Sequence, residues 1–273
     1  MSYFCGCATF KKEEPDVTVV TVTPTAEEYF KSGSTKSDSK NFIEAVADFT
    51  KAIELKPDFV DAYNHRGIAY KNLKDYDKAI SDYTKAISIK ADYYLAYNNR
   101  GNAYLNLKAY EKAISDYTKA IEIKPDYNDA YYNRGLAFHD TKEYTKAILD
   151  YSKAIELKPG DAEAYNDRGN AYADIKESEK AIADYTKAIS IKPDNYYAYN
   201  NRGTVYDELK NYNKAILDYT KAIELKPDYA KAYNNRAVSR YSNGDKQGAC
   251  ADWKKALGLG IQDVQQDIDK YCK

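Results

Sequence analysis

Residues 94–127 read YLAYNNRGNAYLNLKAYEKAISDYTKAIEIKPDY, and residues 128–161 repeat their order as NDAYYNRGLAFHDTKEYTKAILDYSKAIELKPGD. Working outward at this 34-residue period places seven units, beginning at Ala26, Val60, Tyr94, Asn128, Ala162, Tyr196 and Ala230. Self-similarity at a fixed period of 20–50 residues marks a repeat array, in which each unit buries its apolar face on its neighbours. Arginine keeps the period most strictly. Six of the seven arginines stand at Arg66, Arg100, Arg134, Arg168, Arg202 and Arg236, whereas the chain otherwise carries positive charge on thirty-four lysines.

Numbering each unit from one, small residues occupy positions 8, 20 and 27 (Gly101, Ala113, Ala120) and allow two helices to approach closely. Aromatics at positions 4, 11 and 24 (Tyr97, Tyr104, Tyr117) fill the space between pairs. Apolar residues at Ala113, Ile114, Tyr117, Ala120, Ile121 and Ile123 have helical spacing, not strand spacing. Proline at position 32 (Pro57, Pro125, Pro159, Pro193, Pro227) stops the second helix, because its ring cannot continue the hydrogen-bond ladder. Each unit is expected to be two antiparallel helices, about positions 2–14 and 17–30, joined by a short polar turn such as Lys74-Asp75.

The set of columns across residues 26–263 resembles the tetratricopeptide repeat (TPR) family. Penta-tricopeptide RNA binders usually run a residue longer, and Sel1-like relatives run longer still and less regularly. The resemblance implies an all-α, right-handed superhelical solenoid of antiparallel helix pairs, with a C-terminal capping helix over 261–273. It also implies a concave groove lined by positions 2, 5, 6, 9, 12 and 13 of the first helices.

Position 5 then gives Asn64, Asn98, Tyr132, Asn166, Asn200 and Asn234, position 6 gives His65, Asn99, Asn133, Asp167, Asn201 and Asn235, and position 9 adds Asn102 and Asn170. An asparagine amide carries both donors and an acceptor, which suits a peptide backbone. The run is similar to the asparagine ladder in the TPR domain of the glycosyltransferase that attaches N-acetylglucosamine to proteins, which holds an extended peptide by its main chain. The alternative is that asparagine is simply a tolerated polar residue on a solvated face. Asp140, Asp174 and Glu208 at position 13, with Asp167 and Asp207 nearby, make the later units acidic, whereas Lys31, His65 and Lys71 lie at the other end. A basic segment of a partner would gain rate and register there; an uneven solvated face is the rival account. Co-chaperone TPR domains hold a C-terminal carboxylate through cations at positions 2, 5 and 6, and position 5 here is asparagine or aromatic. Heat-shock-protein tails are not expected as ligands.

Position 7, the arginine column, usually faces the interior in this family, and a charge turned inward needs a partner. Position 23 is always acidic: Asp48, Asp82, Asp116, Asp150, Asp184, Asp218 and Asp252. A guanidinium can bind a carboxylate through two parallel bonds, which lysine cannot copy. A ladder of ion pairs is therefore expected, within or between units; the other reading sends the arginines to a ligand carboxylate.

Charge is nearly balanced, 41 basic against 42 acidic residues, unlike nucleic-acid binders, which concentrate positive charge on one face. No apolar run approaches the roughly 20 residues that span a bilayer. No phosphate loop, dinucleotide turn or zinc-binding His pair occurs, and His65 and His139 fall two units apart, too far to share a metal. No enzyme, cofactor or metal is expected, and the partner is a protein or peptide, with self-association of an idle-grooved structural module as the alternative function. Residues 1–25 precede the repeats as a leader or linker. Phe4-Cys5-Gly6-Cys7-Ala8 looks like the end of a bacterial lipoprotein signal without its charged leader and apolar stretch. Either the true start lies upstream and Cys7 is a lipid anchor of an envelope protein, or this is a disordered tail of a cytoplasmic one. Cys250 and Cys272 could pair, which would favour export, or stay free as small apolar side chains. Ser178, where other units carry an aromatic at position 17, marks the expected soft step of the array. Unit one, with Lys36 at the aromatic position 11, is expected to fray and act as an N-terminal cap.

Overall fold

The computed structural model describes residues 1–2 and 23–272; Cys7 and most of the leader lie outside the described residues. Seven helix pairs follow one another: α1 (Ala26–Asp38) and α2 (Phe42–Leu55), α3 (Val60–Asn72) and α4 (Tyr76–Ile89), α5 (Tyr94–Asn106) and α6 (Tyr110–Ile123), α7 (Asn128–Asp140) and α8 (Tyr144–Leu157), α9 (Ala162–Asp174) and α10 (Ser178–Ile191), α11 (Tyr196–Glu208) and α12 (Tyr212–Leu225), α13 (Ala230–Ser242) and α14 (Lys246–Gly258). A 3₁₀ turn (Gln262–Val264) and α15 (Gln265–Tyr271) close the array on α14. Each helix packs on its partner and on the first helix of the next pair, the pattern of a solenoid.

The first helices cover positions 1–13, one residue earlier than the spacing predicts. The turn explains the shift. Lys40, Lys74, Lys108, Lys142, Lys176 and Lys210, all at position 15, adopt φ between 57° and 64°, and Gly244 takes that place in the seventh unit. The left-handed residue ends each helix, as in Asp75 N–H donating back to the Tyr70 carbonyl at 2.9 Å. At the entry to α1, Thr25 and Glu28 form a capping box. Lys36 of that helix pairs with Asp48.

The core is linear. Alanines at positions 3, 10, 20 and 27 are fully buried in most pairs, and so are the position-24 rings Tyr83, Tyr117 and Tyr151. Each such tyrosine lies flat on the position-8 glycine of its own unit: a Cβ on Gly67 would stand 2.6 Å from Tyr83 Cε1, and one on Gly135 2.8 Å from Tyr151 Cε1. Glycine is thus required by the close approach of a ring and not by backbone conformation. The packing of α10 on α11, which follows Ser178, is the sparsest junction between units. At the far end Trp253 packs with Tyr241 and Tyr271, and a Cys250–Cys272 disulfide (Cα–Cα 5.5 Å) fastens the end of α15 to α14.

Gly135→Ala should therefore destabilise the array by about 1–2 kcal/mol, because overpacking a rigid ring outweighs the better helix propensity of alanine. Thermal unfolding followed by circular dichroism reads the loss; an unchanged or raised midpoint would contradict the close-approach account.

Candidate functional site

The arginine column runs along the inner side of the first helices and makes the same contacts at every step. In the third unit Arg100 Nε donates to Asp116 Oδ2 and Nη2 to Asp116 Oδ1, both at 2.8 Å. The same two bonds join Arg66 to Asp82, Arg134 to Asp150, Arg168 to Asp184, Arg202 to Asp218 and Arg236 to Asp252. All six pairs lie within a unit, linking its two helices. The carboxylates are buried. Hydrogen bonding to the aspartate holds Arg100, Arg134, Arg168 and Arg202 above the ordinary guanidinium value, against the desolvation of burial. The guanidinium also lies over the position-4 ring, as Arg134 does over Tyr131 at 5.8 Å.

A third bond leaves the unit. Nη1 of each arginine donates to a hydroxyl at position 25 of the preceding unit: Arg66 to Thr50, Arg100 to Thr84, Arg134 to Thr118, Arg168 to Ser152, Arg202 to Thr186 and Arg236 to Thr220, at 2.9–3.0 Å. Several of these hydroxyls are themselves aimed by donating to a carbonyl one turn back, as Thr118 does to Ile114 at 2.7 Å. The sequence carried this signal. Position 25 is Thr or Ser in the first six units, each followed by an arginine-bearing unit, and Lys254 in the seventh. Conversely the first unit has Ser32 at position 7, which donates to Asp48 at 2.6 Å.

The asparagines form a second ladder, on the groove wall. Position 6 of one unit donates to position 5 of the unit before: Asn99 Nδ2 to Asn64 Oδ1 (3.0 Å), Asn133 to Asn98 (3.0 Å), Asn201 to Asn166 (3.3 Å) and Asn235 to Asn200 (3.1 Å). This corrects the expectation for position 5. Asn64, Asn98 and Asn200 are buried, at 2, 4 and 0 % exposure, because their carbonyls are spent on the next unit. Asn166 and Asn234 are half-buried. Position 9 is likewise partly internal: Asn102 Oδ1 accepts from Tyr117 Oη at 2.7 Å and Asn170 Oδ1 from Tyr185 Oη at 2.8 Å. Units with Ile68 or Leu136 there leave the buried Tyr83 and Tyr151 hydroxyls without a partner among the described residues. His65 is a wall residue, edge-on to Phe30 at 4.9 Å with Nδ1 2.8 Å from the Asp61 carbonyl oxygen.

The position-6 amides of Asn99, Asn133, Asn201 and Asn235 remain half exposed. Asp140, Asp174 and Glu208 are exposed at the other edge of the wall. Glu208 pairs with Lys176 Nζ at 3.3 Å, and Asp174 Oδ2 lies 3.0 Å from His139 Nε2, off the line of a hydrogen bond. Lys71, toward the other end, is half-buried with no acidic partner among the described residues, and burial pulls its ammonium below the ordinary value. Two clefts open on this wall, of about 660 Å³ and 380 Å³, both in the fourth to seventh units and sharing Asn170 and Asn201. Among the described residues, no three His, Cys, Asp or Glu side chains gather as a metal site, and no helix is long and apolar enough to cross a membrane.

Two stability measurements follow. Arg134→Lys keeps the charge but can satisfy neither the second Asp150 oxygen nor Thr118, and should cost about 2–3 kcal/mol of unfolding free energy in urea titrations; a change under about 0.5 kcal/mol would show that charge alone suffices. Tyr117→Phe removes a bonded hydroxyl and should cost about 1 kcal/mol, whereas Tyr151→Phe removes an unbonded one and should be neutral or stabilising. Equal losses at both sites would contradict the position-9 pairing.

The geometry has clear counterparts. The family model for the tetratricopeptide repeat matches residues 60–93, 94–127, 129–161, 162–195 and 196–229, and a second, TPR repeat, matches 38–74. Among curated protein sequences, none matches the chain. Of the solved structures, the C-terminal part of a TPR repeat-containing protein from Cytophaga hutchinsonii is 26% identical, with 87% of this chain and 98% of that one covered at a TM-score of 0.68. YrrB, described as a TPR protein with an unusual peptide-binding site, is 26% identical over 67% of this chain and 95% of its own, at a TM-score of 0.58. A tetratricopeptide repeat protein from Parabacteroides merdae, 22% identical over 90% of this chain and 98% of its own, shares the fold at a TM-score of 0.67. With matched repeats running through most of its length and seven consecutive helix pairs stacked in order, the chain belongs to the tetratricopeptide repeat family.

Proposed function

We propose that this TPR chain is a non-catalytic scaffold that holds an extended segment of a partner protein in the concave groove of its first helices. TPR repeats are in general protein-interaction scaffolds; the groove as the binding surface is the reading offered here. One observation carries it. The amides of Asn99, Asn133 and Asn235 are each fixed by a bond to the preceding unit, yet their Oδ1 atoms accept nothing from the described residues. These pre-aimed acceptors, in the third, fourth and seventh units, suit the N–H groups of an extended chain, and fixing them beforehand lowers the entropy lost on binding. The similarity to YrrB, described as having a peptide-binding site, supports the same reading. The wall charges add direction, with Lys71 toward the first units and Asp140, Asp174 and Glu208 toward the later ones.

End-to-end self-assembly is less well supported. A copy stacked on α14 would find Lys254 where an arginine needs a hydroxyl, and α1 would offer Ser32 instead of an arginine.

Twelve-residue peptides selected by display on the protein provide the test. They should bind with micromolar Kd, lose about tenfold or more with the exposed double substitution Asp174→Lys, Glu208→Lys, and be indifferent to Leu149→Lys, exposed on the second helix α8. Peptides that tolerate the first variant and are lost with the second would place binding on the opposite face.

A further inference from the structure

All the rungs of the asparagine ladder run the same way, with position 6 donating to position 5 of the unit before, except one. Between the fourth and fifth units the direction is reversed: Tyr132, at position 5, donates its hydroxyl to Asp167 Oδ2 at 2.7 Å. Asp167 Oδ1 accepts from Asn166 Nδ2 at 3.0 Å and Asn170 Nδ2 at 3.3 Å. All three donors are neutral. The position-23 aspartates are each paired with a cation, whereas Asp167 forms no ion pair with lysine or arginine among the described residues. Burial pushes its carboxyl above the ordinary value, and His139 is the one basic side chain whose field opposes this.

This carboxylate opens into the larger of the two clefts, about 660 Å³ in volume. Glu163, one helical turn earlier on α9, lines the same cleft and is exposed. Tyr196 and Tyr197 also line it, with ring centroids 4.1 Å apart; Lys226 Nζ already lies 4.9 Å from the Tyr196 ring centroid, whereas Tyr197 is half exposed. The remaining charged lining residues, Lys192 and Asp194, carry opposite signs. The cleft therefore joins two carboxyl groups, neither paired with a lysine or arginine among the described residues, to the exposed aromatic face of Tyr197.

We propose that this cleft is a side-chain pocket that selects an arginine or lysine of the partner segment, a proposal that rests on the groove reading above. The cation supplies the counter-charge that Asp167 lacks, shares it with Glu163, and lies against the exposed ring of Tyr197, whose face attracts cations. Tyr132, Asn166 and Asn170 hold the carboxylate in place before the ligand arrives, so little reorganisation accompanies binding. An acidic or neutral residue at the same register would leave the carboxylates desolvated and unpaired, which is how the pocket discriminates.

The test uses pools of nine-residue peptides, acetylated and amidated at their ends so that only side chains carry charge. One set bears a single arginine or lysine at each position in turn, and the matched set bears citrulline or acetyl-lysine there. Fluorescence polarisation should show the charged pools binding the wild type about tenfold tighter at one register. Asp167→Asn and Glu163→Gln should each bring the charged pools down toward the neutral ones while neutral pools bind as before; the second substitution is at an exposed position and leaves the fold intact. If neutral pools bind but charge confers no advantage, or if the advantage survives both substitutions, the pocket is overturned and the groove stands. If no pool binds the wild type saturably, the groove reading falls and the pocket with it.

Discussion

A guanidinium with five N–H donors in a rigid plane can bind three oxygens on two different helices at once, and the array depends on that. Each ladder arginine bonds both oxygens of an aspartate in its own second helix and a hydroxyl in the second helix of the previous unit. Its own helix thereby has its rotation and height fixed against two neighbours. A lysine in the same place has three donors on a flexible stem and no fork. Burying the pair yields little net stability, since desolvation offsets much of the attraction, but a unit turned or slid out of place would strand a buried carboxylate. The ladder therefore serves register more than energy, and the energy comes from the alanine, glycine and tyrosine columns beside it.

The same logic explains how the array ends. The third arginine bond requires a preceding unit, and among the described residues α1 has none on its other side. Its position 7 is Ser32, and its aspartate is satisfied locally by Ser32 and Lys36. In the seventh unit the hydroxyl column stops at Lys254, and Asp252 receives a second arginine, Arg240 Nη1 at 2.8 Å. Lys36 and Arg240 both stand at position 11, an aromatic in the units between. What looks in the sequence like decay of the repeat at its ends is the removal of groups that would otherwise lack partners. The stacked Trp253, Tyr241 and Tyr271 and the Cys250–Cys272 link then cover the last apolar face.

Much of this was legible in the sequence, and what was not has definite causes. The period, the helix pairs and the pairing of position 7 with position 23 follow from residue types that have few alternatives: a buried arginine needs an acid, and a proline ends a helix. The hydroxyl column runs through the first six units, but a threonine or serine on a helix face carries no charge to demand a partner. Position 5 is a groove position in the family that the columns resemble, which assigns Asn64, Asn98 and Asn200 to the groove; only the next unit's stacking shows that their carbonyls are consumed. The hydroxyls of Tyr117 and Tyr185 reach from the second helix of their unit to position 9 of its first, a contact that spacing along one helix does not disclose. The exchange of donor and acceptor at Tyr132 and Asp167 is visible as a double departure from the column, yet acquires meaning only once the two are seen bonded.

The groove inherits its geometry from the ladder. Under the proposed function, amides that hold an extended chain must keep a constant separation, and the arginine bridges hold the first helices that carry them. The most direct measurement is a double-mutant cycle across a unit boundary, Arg134→Leu against Thr118→Val, read as unfolding free energy in urea. If the guanidinium joins neighbouring units, the two substitutions should be non-additive by about 1 kcal/mol or more, the worth of a charge-assisted hydrogen bond. Strict additivity would show that Arg134 acts within its own unit alone, and that something else sets the register of the array.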